Sequence, residues 1–175
     1  MLMKRNLTFL ALLSFLSVPA LAQSTAVGFQ LGVSQSNDNG IDFDFGGDLK
    51  EVSFSLDTDA STTLKLKAGR MESDEPPDIE ELILITDGHV EYLAFVAEYR
   101  FYEVFGSTSL FAGPAAYRQE YGTLDETDFG ITGGVNGLFP VTRRFGLTAE
   151  LAYHWANFEE TRSFVTAAAG VRIGF

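Results

Sequence analysis

From residue 26 to residue 175 the chain alternates apolar with small or polar residues in eight runs. A period of two marks a β-strand whose two faces meet different surroundings. Run 26–35 sets Val27, Phe29, Leu31 and Val33 against Gly28, Gln30, Gly32 and Ser34. Run 49–57 sets Val52, Phe54 and Leu56 against Glu51, Ser53 and Ser55. A tight turn at 57–60 leads to a third run, where Leu64, Leu66 and Ala68 oppose Lys65, Lys67 and Gly69. Run 89–102 alternates Leu93, Phe95, Ala97, Tyr99 and Phe101 with Tyr92, Ala94, Val96, Glu98 and Arg100. In run 108–121, Phe111, Gly113, Ala115 and Tyr117 read as the apolar face, opposite Ala112, Ala116, Arg118 and Glu120. Run 127–141 sets Phe129, Ile131, Val135 and Phe139 against Gly130, Thr132, Gly134 and Asn136. Run 144–157 sets Leu147, Ala149, Leu151, Tyr153 and Trp155 against Gly146, Thr148, Glu150 and His154. The last run, 162–175, places Val165, Val171, Ile173 and Phe175 on one face and Phe164, Thr166, Gly170 and Arg172 on the other.

Eight strands of this kind close into a barrel, and three cues decide which face is inside. Connections alternate long and short: 36–48 and 72–88 are long, 122–126 is medium, and 57–61, 103–107 and 141–144 are short. Outer-membrane barrels have short periplasmic turns and longer extracellular loops. Apolar-face aromatics gather at two levels, one with Phe101, Phe111, Phe139, Phe145 and Phe175, the other with Tyr117, Tyr121, Phe129, Tyr153 and Trp155. Such girdles suit the two lipid–water interfaces. The runs also meet the ~9–11 residues of a tilted membrane strand. The expected fold is all-β: an eight-stranded antiparallel up-and-down transmembrane β-barrel.

The N-terminus adds an export signal. Lys4 and Arg5 precede an apolar stretch over 7–18, and Ala20-Leu21-Ala22 supplies a small-residue cleavage site before Gln23. The expected division is a cleaved signal peptide, 1–22, and a barrel domain, 23–175. No other stretch approaches the ~20 apolar residues of a membrane helix. Cysteine is absent, which excludes disulfides and thiolate chemistry. Asp and Glu number 24 against 12 Lys and Arg, an acidic balance that speaks against nucleic-acid binding.

The exported eight-strand layout, with a last strand whose alternate residues Val171, Ile173 and Phe175 end on an aromatic, resembles the small bacterial outer-membrane barrels of the OmpA and OmpX type. That resemblance implies residence in the outer membrane of a Gram-negative-type bacterium, among its lipid and lipopolysaccharide, as a monomer. It also implies that Val171, Ile173 and Phe175 are read by the barrel assembly machinery. One departure is Pro114, mid-strand, where the missing N–H predicts a bulge.

The polar faces carry Glu51, Lys65, Lys67, Glu98, Arg100, Arg118, Glu120, Glu150 and Arg172, with His154. An eight-stranded lumen is just wide enough for its own side chains, so these charges are expected to pair into a closed network. The lipid A deacylase family carries a His-x-Ser pair on one strand. Here His154-Trp155-Ala156 puts alanine at the serine position and supplies no nucleophile. His89, at a loop–strand junction, shows no catalytic partner in the sequence. No enzyme activity, cofactor or resident metal is expected.

With both termini periplasmic, the long connections face outward from the cell. Asp38, Asp42, Asp44, Asp48, Glu72, Asp74, Glu75, Asp78, Glu80, Glu81, Asp87, Asp125, Glu126, Asp128, Glu159 and Glu160 fall there, 16 of the 24 acids. Hard oxygen donors so placed suit divalent cations or a basic surface partner, or simply a solvated rim. Asp38-Asn39-Gly40 lacks the spacing and closing Glu of a calcium loop. The apolar runs 41–45 and 82–85 have no assigned role. The expected function is a non-enzymatic outer-membrane barrel serving envelope structure or surface interaction. A small channel or transport porin and a periplasmic ligand-binding barrel are the other readings.

Overall fold

The structure is a computed structural model, and it describes residues 24–36, 46–73, 88–103, 106–121, 124–158 and 161–175. Eight strands follow one another: β1 (Ser24–Ser36), β2 (Gly47–Asp57), β3 (Thr62–Ser73), β4 (Gly88–Glu103), β5 (Ser107–Tyr121), β6 (Leu124–Pro140), β7 (Phe145–Ala156) and β8 (Arg162–Gly174). Each pairs antiparallel with its sequence neighbour, and β8 returns to β1 to close the barrel. Closure satisfies every strand edge, which a sheet surrounded by lipid requires. Residues 1–22, expected to form a cleaved signal peptide, and most of the long connections lie outside the described residues.

The outward face is a band of large apolar side chains. Phe29, Leu31, Leu93, Tyr99, Ile131 and Leu151 are among those exposed to the surroundings, with Phe129 and Phe175 at opposite ends about three-quarters exposed. The inward face buries Lys65, Lys67, Glu51, Glu98, Glu150 and His154. Charge inside and hydrocarbon outside is the arrangement of a membrane barrel and the reverse of a soluble ligand carrier.

Short hairpin ends are locally determined. In the β2–β3 turn, Asp59 Oδ1 accepts hydrogen bonds from the amides of Ser61 (2.7 Å) and Thr62 (2.8 Å). Those amide bonds, Ser61's first, favour the ionised carboxylate and hold Asp59 below its ordinary range. In the β6–β7 turn, Thr142 Oγ1 accepts from the amides of Arg144 (3.3 Å) and Phe145 (3.0 Å).

Three expectations are corrected. β5 is inverted: Phe111 and Tyr117 are buried in the lumen, while Arg118 stands exposed and Glu120 half-exposed on the outer face. Phe111 and Tyr117 therefore leave the aromatic girdles, whereas Tyr99 joins one of them. No bulge forms at Pro114. The β4–β5 register is the same on either side of Pro114, at Ala94↔Ala115 and Ala97↔Ala112, with the ladder pairs between them missing, and the register shift lies between Arg100 and Tyr102. Gly113 explains the accommodation, because a Cβ there would overlap the Phe95 carbonyl oxygen. Without one, the two backbones approach closely beside the residue that cannot donate to the ladder. Finally, β5 and β6 pair out to Tyr121↔Leu124, so Asp125, Glu126 and Asp128 belong to a strand and not to a medium-length loop.

Candidate functional site

The lumen gathers most of the polar chemistry of the described chain. At its middle, Lys67 lies between two carboxylates, 3.0 Å from Glu51 and in direct contact with Glu150. Its ammonium also sits 4.5 Å from the centre of the Phe111 ring. Tyr92 donates its hydroxyl to Glu51. That contact depends on register: Glu51, Gly69 and Tyr92 lie in one row across β2, β3 and β4. A Cβ on Gly69 would come within 2.5 Å of the Tyr92 ring, so glycine lets the ring cross to Glu51. Lys65 pairs with Glu98, which also accepts from Asn136 Nδ2 at 3.3 Å.

Toward the end of the barrel that carries the long connections, His154 is completely buried among tyrosines, its ring centroid 4.8 Å from that of Tyr92. Tyr117 donates its single proton to the carbonyl of Ile131 at 3.1 Å. Its oxygen, 3.2 Å from His154 Nδ1, is then placed to accept from Nδ1–H, while Nε2 accepts from the Thr166 hydroxyl at 3.3 Å. Both ring nitrogens are thus occupied by structural partners. Beyond this layer Leu49, Met71, Val90, Phe158 and Phe164 are buried beside Gln119 and Arg162, with Gln119 donating Nε2 to Glu126 at 2.7 Å.

Toward the opposite end, which carries the short turns and both chain termini, Arg172 gives Nη2 to both oxygens of Asp57 at 3.1 and 3.2 Å. Asp57 further accepts from Thr63 at 2.7 Å and from Ser24. Arg100 donates Nη1 to the carbonyl of Ala60 at 3.0 Å. A cavity of about 760 Å³ opens at this mouth.

Of the ten side chains assigned to the lumen by sequence, Arg118 and Glu120 stand elsewhere. They form an outer cluster in which Arg118 holds Asp125 through two bonds (2.8 and 2.9 Å) and also contacts Glu120. His89 lies 3.4 Å from that same Glu120. A strand that ends above the lipid can carry charge outside, because water reaches it there. Sequence reasoning put Tyr92 and Asn136 on the polar faces without naming them in the network, placed Phe111 and Tyr117 on the apolar face, and gave Asp57 only to a turn. The even-numbered spacing that joins Tyr92 to Glu98 on one strand was the available signal for Tyr92. Val171, Ile173 and Phe175 lie on the outer face of β8, where Val171 and Ile173 pair with β1 and β7. Among the described residues no group of three or more acids and histidines could hold a metal ion, and most of the loop acids fall outside those residues.

No protein-family model matches the sequence, and no curated protein matches it. Solved structures do match. Neisserial surface protein A aligns with a TM-score of 0.65 at 17% identity, over 86% of this chain and 97% of that one. The N-terminal β-barrel domain of OprF from Pseudomonas aeruginosa gives 0.58 at 16%, over 88% and 99%. Ail, the attachment invasion locus protein of Yersinia pestis, solved with the heparin analogue sucrose octasulfate, gives 0.53 at 14%, over 87% and 97%. At these identities the likeness is one of fold: the chain has the architecture of the eight-stranded outer-membrane barrels.

Proposed function

We propose that the protein is an integral outer-membrane barrel of the OmpA/OmpX type with a closed lumen, non-enzymatic, acting in envelope structure or surface interaction. In this reading residues 1–22 direct export and are removed. Val171, Ile173 and Phe175 present the last strand to the assembly machinery, and the barrel functions as a monomer among lipid and lipopolysaccharide. The observation that carries the closed lumen is the buried Lys67–Glu51–Glu150 cluster at its middle. An ion crossing this barrel would have to displace those paired charges, which is costly. His154 supports the absence of catalysis, since its two nitrogens are engaged by Tyr117 and Thr166 and no serine neighbours it.

The acidic connections are proposed to meet divalent cations or a basic surface partner. The heparin analogue held by Ail is a polyanion. A rim with 16 acids has the wrong sign for such a ligand, so the partner chemistry here is opposite. Planar-bilayer recording of the folded, heat-modifiable protein tests the closed lumen. No discrete conductance steps are expected, and stable steps in the barrel would instead establish the channel reading.

A further inference from the structure

The rim at the long connections differs from one side of the barrel to the other. Three residues in from that end of each strand, β2 to β5 carry Lys50, Arg70, Glu91 and Arg118. At the same remove, β6, β7, β8 and β1 carry Thr127, Tyr153, Val165 and Val33. All eight belong to the outward parity. Two residues further toward the middle, the charged half shows Val52, Ala68, Leu93 and Ala116 on the same face. The charges therefore mark the edge of the apolar band on one side only. We propose that Lys50, Arg70 and the groove beside them dock lipid A, the phosphorylated anchor of lipopolysaccharide. The inference rests on the outer-membrane reading and orientation proposed above, and it names the face that meets that lipid.

The ladder itself points to an anion. Lys50 and Arg70 are direct cross-strand partners, and like charges set opposite each other on one face repel. A phosphate between them replaces that repulsion with two charge-assisted bonds. The neighbouring carboxylates do not take this place. Glu72 lies 4.0 Å from Lys50 with the two side chains 47% and 63% exposed, and an ion pair so open to water is readily exchanged. Glu91, on the far side of Arg70, is the cross-strand partner of Arg118 and sits 3.9 Å from His89.

A second feature joins the first. A groove of about 830 Å³ runs beside Lys50 and Arg70 on the outward face of β8, β1, β2 and β3. Phe29, Leu31, Val52 and Val171 line it, and Ala68 and Ala169 are small among these larger neighbours. An acyl chain lies along such a wall while its phosphate stays at the rim. Acidic connections disfavour a soluble anion arriving from outside, whereas a lipid reaches the groove within the membrane plane. A phospholipid diester brings one charge. The phosphate monoesters of lipid A bring about −1.5 to −2 each and three terminal oxygens, which suits two cations.

The test uses the full chain folded in maltoside detergent and native mass spectrometry with added lipid A, fully dephosphorylated lipid A, phosphatidylglycerol and phosphatidylcholine. One lipid A retained per barrel is expected, and about tenfold weaker retention once its phosphates are removed. Lys50→Gln with Arg70→Gln should weaken retention by at least about tenfold, the order expected for two basic side chains at an anionic surface. Ala169→Phe fills the groove without changing charge and should weaken it about threefold or more. Arg143→Gln with Arg144→Gln removes the same charge at the opposite rim and should leave it unchanged. Heat-dependent gel mobility verifies that each variant is folded. Retention no better than that of phosphatidylcholine, or equal weakening by the Arg143 and Arg144 variant, overturns the site. Phosphatidylglycerol held as tightly as lipid A overturns the choice of ligand. A barrel dimer abolished by Ala169→Phe and untouched by lipid A overturns the lipid in favour of a second copy of the chain. Any of these in a heat-modifiable barrel leaves the outer-membrane reading standing; a chain absent from the outer-membrane fraction is the separate failure of that reading.

Discussion

Two charged clusters in this barrel use the same chemistry in opposite surroundings. Lys67 with Glu51 and Glu150 is buried at the centre of the lumen. Arg118 with Asp125 and Glu120 is half-exposed on the outer face at the end of the barrel that carries the long connections. The outer cluster has the better hydrogen-bond geometry, a two-bond guanidinium–carboxylate pair, yet water and salt screen it. The inner cluster cannot exchange its partners for water. A lost partner there strands a charge, so position, not geometry, sets the energetic consequence.

Lys67→Met separates the two most strongly. It leaves Glu51 and Glu150 facing each other without a cation, and destabilisation of about 3–5 kcal/mol is expected from urea unfolding of the folded barrel in detergent. A loss below ~1 kcal/mol would place the lumen in bulk-like water. Next in size is Leu151→Arg, on the outward face of β7 midway along the strand. Placed in hydrocarbon, the charge should cost about 2–4 kcal/mol in a lipid-bilayer unfolding assay. Arg118→Gln should cost at most about 1 kcal/mol, and that difference should shrink further as salt is raised.

The faces of the other seven strands were legible because their mid-strand charges and large apolar groups fell on opposite parities, the exceptions Lys50, Arg70 and Glu91 lying near strand ends. β7 is the clearest case, with Glu150 and His154 against Leu147, Leu151 and Tyr153. β5 was misread for a physical reason. Its charges, Arg118 and Glu120, lie near the strand's end, where the outer face is wet, and its aromatics Phe111 and Tyr117 fill the lumen. Aromatic residues are apolar enough for either side, so only the rings opposite them decide. Tyr117 meets His154 and Phe111 meets Lys67, contacts between strands far apart in sequence. The bulge expected at Pro114 failed for a similar reason: the neighbouring Gly113 absorbs the problem through close backbone approach. Arg143 and Arg144 lie in a connection that the sequence marks only as short, and closure of the barrel brings them to the same cavity as Arg100 and Arg172. Charge convergence across β4, β7 and β8 has no signature in any one stretch of sequence.

The central claim is which face of the barrel meets lipid, and the chain's lack of cysteine makes it directly measurable. Single cysteines placed at Leu147, Ala149, Leu151 and Tyr153, and at Thr148 and Ala152, can each carry a spin label in reconstituted vesicles. Collision rates with lipid-soluble oxygen should be high at the four odd positions and low at the two even ones. High rates at Thr148 and Ala152 with low rates at Leu147 and Leu151 would contradict the account and turn the barrel inside out.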